Sequence, residues 1–121
     1  MATLTVTVTD ITQPVPSLYT LATQGSQTGY TCVPSSPPET PALTENAEVA
    51  YLSVQASNLN GAKVVYKGDR SVLANGTRQG LELEAGQVNV MMMYPRVVNL
   101  NQIYVTASAN GAIFNVEWHH S

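Results

Sequence analysis

The chain has 121 residues, a formal net charge of −3, 11% charged residues and one cysteine. This length suits a single domain with its own hydrophobic core. Because the five lysine and arginine residues are scattered, the sequence lacks the basic patch typical of a nucleic-acid-binding protein. No stretch is apolar enough to span a bilayer, so we expect neither a nucleic-acid nor a membrane partner. Cys32 cannot form an internal disulfide and has no basic neighbour in the sequence, which favours an unreactive thiol.

Residues 3–9 alternate strictly between threonine and an aliphatic residue, which predicts a half-buried β-strand. Leu4, Val6 and Val8 would share one face of this strand, and the threonines would share the other. Asp10 and two following prolines end the pattern. Residues 17–22 are predicted to form a short second strand, and residues 25–29 a turn.

Four prolines interrupt residues 31–44, which excludes a regular helix or strand there. The segment is either a disordered surface loop or an extended arm fixed by contacts, and composition does not separate the two. We therefore divide the chain into an N-terminal strand with a Pro-rich arm or loop, residues 1–46, and a β-sandwich domain, residues 47–121. Together they are expected to form one structural unit.

The second half shows short strand patterns separated by turn signals. Asn60-Gly61 and Asn110-Gly111 are typical of tight hairpin turns, and predict that residues 49–56 pair with 62–67 and residues 102–107 with 112–118. Further strands are predicted at residues 81–83 and 88–93. No convincing helical period is present, although residues 69–74 are compatible with one helical turn. The pattern predicts an all-β, jelly-roll-like β-sandwich of about seven or eight antiparallel strands with an extended N-terminal arm.

Catalytic chemistry is nearly missing from the sequence. His119 and His120 are adjacent, so on a strand they point to opposite faces and cannot easily hold one metal, and we expect them in a solvated tail. Asp69 is expected to be a turn residue. No Ser–His–Asp pattern is visible either. We therefore predict that the protein is not an enzyme and has no cofactor, catalytic residue or metal site.

A run of three methionines, residues 91–93, would make both faces of one strand apolar. Core packing accounts for one face, whereas the other needs either a covering loop or a partner, and both remain open. Aromatic residues and apolar strand faces are also candidates for contacts with other subunits, because aromatic side chains contribute much of the binding energy of interfaces. The predicted interface residues are Leu4, Val6, Val8, Tyr19, Pro34, Pro37, Pro38, Met91, Met93 and Tyr94.

An ordered set of motifs resembles a known module. It comprises Val65-Tyr66-Lys67-Gly68, residues 80–86 (GLELEAG), residues 100–111 (LNQIYVTASANG) and Val116-Glu117-Trp118. Over about residues 49–118 the chain is similar to a small β-sandwich module of tailed-bacteriophage virion proteins.

This resemblance implies a capsid decoration (cement) protein that binds the outer shell and bridges capsid subunits. Its partners would be the major capsid protein and further copies of itself, as a dimer or trimer. It would sit on the capsid surface of a virion assembled in the host cytoplasm. Residues 1–46 would form an arm over the shell. Leu4, Val6 and Val8 would add a strand to a sheet by edge pairing, and another subunit is one candidate for that sheet. The alternative is a tail or fibre component, or a β module that binds glycans on a host surface.

Overall fold

The computed structural model describes residues 2–34, 47–69, 80–92 and 98–119. In this part of the chain, ten strands and one α-helix alternate with short turns. The strands are β1 (Ala2–Val8), β2 (Tyr30–Pro34), β3 (Glu48–Val49), β4 (Tyr51–Ala56), β5 (Val65–Gly68), β6 (Leu81–Leu83), β7 (Val88–Met92), β8 (Val98–Asn99), β9 (Tyr104–Ala107) and β10 (Ile113–His119), and the helix is α1 (Leu18–Gln24).

The strands form three antiparallel sheets in the described residues. The larger sheet has the strand order β2-β1-β10-β4-β7, and the smaller sheet has the order β6-β5-β9. The third sheet consists of β3 and β8. Buried side chains of the larger and smaller sheets share one hydrophobic core. This confirms the predicted all-β, sandwich-like fold, whereas the jelly-roll-like connectivity stays a prediction.

Strand β1 lies inside the larger sheet, hydrogen-bonded to β10 on one side and to β2 on the other. Its alternation is the one predicted, because Leu4, Val6 and Val8 are buried and the threonines are at least partly exposed. The prediction that this strand belongs to an extended arm is wrong. Both of its edges are already paired within the chain, so no edge remains for the sheet of another subunit. The exclusion of a strand from residues 31–44 is also wrong for its first part, because residues 31–34 belong to β2 and its one proline, Pro34, is the last residue of this edge strand.

Residues 18–24 form α1, where a short strand was predicted. Ser17 caps the helix, since its hydroxyl accepts a hydrogen bond from the backbone N–H of Thr20 at 3.2 Å. Leu18 and Leu21 lie three residues apart on one helical face and are buried in the core. The Ser17 cap and the burial of Leu18 and Leu21 favour a helix more than the β propensity of the segment favours a strand, although the helix is only one or two helical turns long.

Neither Asn–Gly pair forms the hairpin that was predicted. β4 pairs with β10 and β7, whereas β5 pairs with β6 and β9, so the turn at Asn58–Asn60 carries the chain from the larger sheet to the smaller one. The Asn110-Gly111 turn returns it, from β9 to β10.

The side chain of Asn60 explains the first of these crossovers. Its Oδ1 accepts from the N–H of Ile113 at 2.8 Å, and its Nδ2 donates to the carbonyl of Ile113 at 2.9 Å. Asn60 therefore anchors the turn to β10 instead of closing a two-residue hairpin. The possible helical turn at residues 69–74 lies mostly outside the described residues.

Candidate assembly face

The larger sheet has one face against the core and one turned away from it, which we call the outer face. Directly opposite residues of antiparallel strands share a face, so the register assigns its members. For example, Thr5 is opposite Asn115, Asn115 is opposite Gln55, and Gln55 is opposite Val88. The described side chains on this face belong to Thr3, Thr5, Thr7, Thr31, Val33, Tyr51, Ser53, Gln55, Val88, Val90, Ile113, Asn115, Glu117 and His119.

The outer face combines uncharged polar residues with exposed valines. Val33 is 62% exposed on the edge strand β2, and Val88 and Val90 are 53% and 48% exposed on the opposite edge strand β7. Glu117 and His119 are the titratable side chains among the outer-face residues that the structure describes, apart from the Tyr51 phenol. A surface with so little charge is weakly protected against association.

An aromatic pair marks one end of the outer face. The rings of Tyr51 and His119 stack with centroids 5.1 Å apart and an angle of 10° between their planes. Because these residues are directly opposite in β4 and β10, the stack is set by the strand register. His119 therefore belongs to an ordered strand, and the prediction of a solvated tail is wrong for it, while His120 lies outside the described residues.

The structure disperses the interface residues predicted from the sequence. Leu4, Val6 and Val8 are in the protein's own core, with at most 3% exposure. Tyr19 on α1 and Met91 on β7 are partly buried against the same core. Pro34 ends β2 opposite Leu4 and is exposed. The remaining four, Pro37, Pro38, Met93 and Tyr94, lie outside the described residues.

Sequence reasoning missed Val88 and Val90 as surface residues. Their alternation with Asn89 suits a strand whose valines face the core, but the register places Asn89 opposite the buried Val54. The Oδ1 atom of Asn89 is buried and has no hydrogen-bond partner among the residues that the structure describes. In β7 the two valines therefore face outward and Asn89 faces the core, which is the reverse of what the amino-acid pattern predicts.

A lysine also points into the sandwich. Lys67 of β5 is 9% exposed, and its Nζ donates to Sδ of Met91 in β7 at 3.0 Å. Burial lowers the pKa of Lys67, because the ammonium loses solvation that a thioether, a weak acceptor, does not replace. Lys67 joins the two sheets at an energetic cost.

The single cysteine of the chain packs against the edge of the hydrophobic core. Cys32 lies opposite Val6 in the register and is half-buried, and burial raises the pKa of its thiol to about 11. Residues 2–34, 47–69, 80–92 and 98–119 contain no cluster of three or more His, Cys, Asp or Glu side chains able to hold a metal ion. Among the same residues, no helix has the length and apolar character needed to cross a membrane.

Comparison of the chain with protein-family models, with curated proteins and with solved structures finds no match. Any functional assignment therefore depends on the sequence motifs and on the surface chemistry described above.

Proposed function

We propose that this protein is a structural component of a tailed-bacteriophage virion, a decoration protein that binds the outer capsid shell and bridges capsid subunits. It acts without catalysis, through contacts with the major capsid protein and with further copies of itself. A tail or fibre position is the alternative location for the same assembly role.

The resemblance to virion modules supports this proposal, and its motifs coincide with elements of the sandwich. Val65–Gly68 is β5, Leu81–Leu83 is β6, and residues 100–111 contain β9 and the turn into β10. The motifs therefore mark the framework of the domain, while the surface that would contact the shell is a separate feature.

The observation that carries the proposal is the outer face of the larger sheet. It spans five strands and presents valines at both edges with little charge between them. On a shell, each copy would use such a face for a contact of modest strength, and repetition over many copies would give tight overall binding.

Introducing a charge on the outer face tests the proposal without disturbing the core. Val88→Lys and Val90→Lys each place an ammonium on an exposed position of β7. Leu59→Lys is the matched control, because Leu59 is 82% exposed on the turn after β4, away from the outer face. Binding is measured by co-sedimentation with capsids assembled from the major capsid protein of the same phage.

We expect the wild type and Leu59→Lys to co-sediment with capsids and the two valine variants to lose most of their binding. Thermal unfolding of each variant verifies that the sandwich is intact. No binding by the wild type, or equal binding by all four proteins, would contradict the proposal. Deletion of residues 1–46 is unsuitable as a test, because it removes β1 from the interior of the larger sheet as well as β2.

A further inference from the structure

The contact between Lys67 and Met91 connects the two sheets of the sandwich. Nζ of Lys67 in β5 lies 3.0 Å from Sδ of Met91 in β7, and Lys67 is 9% exposed. Met91 is the first residue of the three-methionine run and lies opposite the buried Leu52, so it is on the core side of the larger sheet. The contact is therefore separate from the outer face and from the proposed contact with the capsid.

The thioether of Met91 is a poor acceptor for a buried ammonium. An ammonium group carries three donors, whereas a thioether sulfur accepts only weakly. Burial lowers the pKa of Lys67, because the contact with Sδ does not replace the lost solvation of the charge. A stronger acceptor attached to Sδ would be stabilised here, since hydrogen bonds from a charged donor are strong in surroundings of low dielectric.

Oxidation of Met91 supplies such an acceptor at the same place. In the reaction with hydrogen peroxide, one peroxide oxygen forms a bond to Sδ and the O–O bond breaks. The other oxygen leaves as water with both peroxide protons, so the sulfur loses two electrons and the peroxide gains them. The product is a polar sulfoxide. Because its oxygen is bonded to Sδ and the stem of Lys67 is flexible, a small movement of Nζ forms the new hydrogen bond.

The position of Met91 gives a small oxidant access to it. Its side chain is only partly buried against the hydrophobic core. Its strand, β7, is the last strand of the larger sheet in the described part of the chain. Met91 thus combines contact with solvent on one side with a buried donor on the other.

We propose that Met91 is a sulfoxidation site and that the ammonium of Lys67 stabilises the sulfoxide. Oxidation of a core methionine usually disrupts packing, because it places a polar group in apolar surroundings. Here the new oxygen meets a buried donor, so oxidation replaces a weak contact between the sheets by a charge-assisted hydrogen bond. The protein therefore tolerates oxidation at this position, whether or not it binds a capsid.

Urea unfolding of the full-length protein before and after treatment with hydrogen peroxide tests the proposal, and peptide mass spectrometry locates the sulfoxide. We expect oxidation to leave the unfolding midpoint of the wild type unchanged or higher. In Lys67→Leu the donor is missing, so oxidation should lower the midpoint by about 1 M. Lys63→Leu is the matched control, because Lys63 is half-buried outside this contact, and it should behave like the wild type.

Met91→Leu corrects for oxidation elsewhere, because it keeps the other three methionines and the cysteine. The change in its midpoint on treatment with peroxide is subtracted from the changes in the other proteins. Equal corrected changes in the wild type and in Lys67→Leu would overturn the proposal. Absence of sulfoxide at Met91, under conditions that oxidise the other methionines, would overturn it as well.

Titration of Lys67 provides a second measurement that does not depend on any variant. NMR of the protein labelled with ¹³C at lysine Cε follows the pKa of this amine before and after oxidation. The pKa of Lys67 should rise in the oxidised protein, because a sulfoxide oxygen stabilises the charged form better than a thioether does. An unchanged pKa in protein that carries the Met91 sulfoxide would show that the ammonium does not bind the new oxygen, which would refute the proposal.

Discussion

The hydroxyl of Tyr30 in β2 lies 2.9 Å from Oγ1 of Thr106 in β9, and both residues have no exposed surface. The bond connects an edge strand of the larger sheet with an edge strand of the smaller one. Burial raises the pKa of the Tyr30 phenol, because the ionised form would lose its solvation. The pair is thus a neutral hydrogen bond inside the core, where neither group has access to water.

Removal of both hydroxyls of this pair should destabilise the protein by less than the sum of the two single removals. Tyr30→Phe leaves the Thr106 hydroxyl buried without this partner, which costs about 1–3 kcal/mol. Thr106→Val should have a similar effect for the same reason. In the double variant, no unpaired hydroxyl remains, so its loss should be smaller than the sum of the two single losses. Urea unfolding of the four proteins measures this coupling, and strictly additive losses would contradict it.

Asn60 should be far more sensitive to substitution than its neighbour Asn58. Asn60→Ala removes both side-chain hydrogen bonds to the backbone of Ile113, and we expect a loss of about 2–4 kcal/mol in the free energy of unfolding. Asn58→Ala changes an exposed residue of the same turn and should have an effect within about 0.5 kcal/mol. Similar losses in the two variants would show that the turn does not depend on the Asn60 anchor.

Lys67→Met should stabilise the protein at neutral pH. The folded state lowers the pKa of Lys67 below its ordinary value of 10.5, so between these two pKa values the unfolded chain binds more protons than the folded chain. Stability in the wild type should therefore increase as the pH rises through this window. Replacing the buried ammonium by a thioether removes the desolvation penalty and should add about 1 kcal/mol at pH 7.

The advantage of Lys67→Met over the wild type should shrink as the pH rises towards 10.5, because the buried amine of the folded wild type loses its proton before that of the unfolded chain. Lys63→Met is the matched control, because Lys63 is only half-buried and should give little change at either pH. Chemical denaturation at several pH values distinguishes these outcomes. A destabilised Lys67→Met variant would show that the lysine contributes favourable contacts that outweigh its burial.

Cys32 should react slowly with thiol reagents while the protein is folded. Burial raises the pKa of its thiol from 9.0 to about 11, which reduces the thiolate fraction at pH 8 by about 100-fold. Labelling with iodoacetamide at pH 8, followed by mass spectrometry, should show this retardation. The same reaction in denaturant should proceed at the rate of a model thiol. Rapid labelling of the folded protein would contradict the inward position of Cys32.

Local patterns in the sequence predict the strands well but not their partners. The predicted alternation in β1 is confirmed, because a period of two is a direct consequence of burying one face of a strand. The last strand follows the same rule, since its alternate residues Phe114, Val116 and Trp118 are buried. The pairing was wrong at both Asn–Gly turns. A turn signal shows only that the chain reverses, and it carries no information on whether the next strand joins the same sheet or the opposite one.

The sequence pattern also could not predict which apolar residues are exposed. Val88 and Val90 look like core residues until the register of β7 with β4 is known, and Asn89 looks like a surface residue. Similarly, one surface groove brings Asp69 next to Asn101 and Tyr104, which are more than thirty positions away along the chain. Both surfaces depend on which strands become neighbours, a property that emerges only when the sheets assemble.

The position of β1 between β2 and β10 has a consequence for biosynthesis. Leu4 pairs with Val116, so the ladder between these two strands cannot begin to form until the ribosome has released the β10 segment. During translation, the apolar side chains of β1 remain uncovered until β10 has emerged. The nascent chain is therefore open to aggregation or to binding by chaperones. Late closure of the larger sheet, after the β10 segment has been synthesised, is therefore built into the order of the strands.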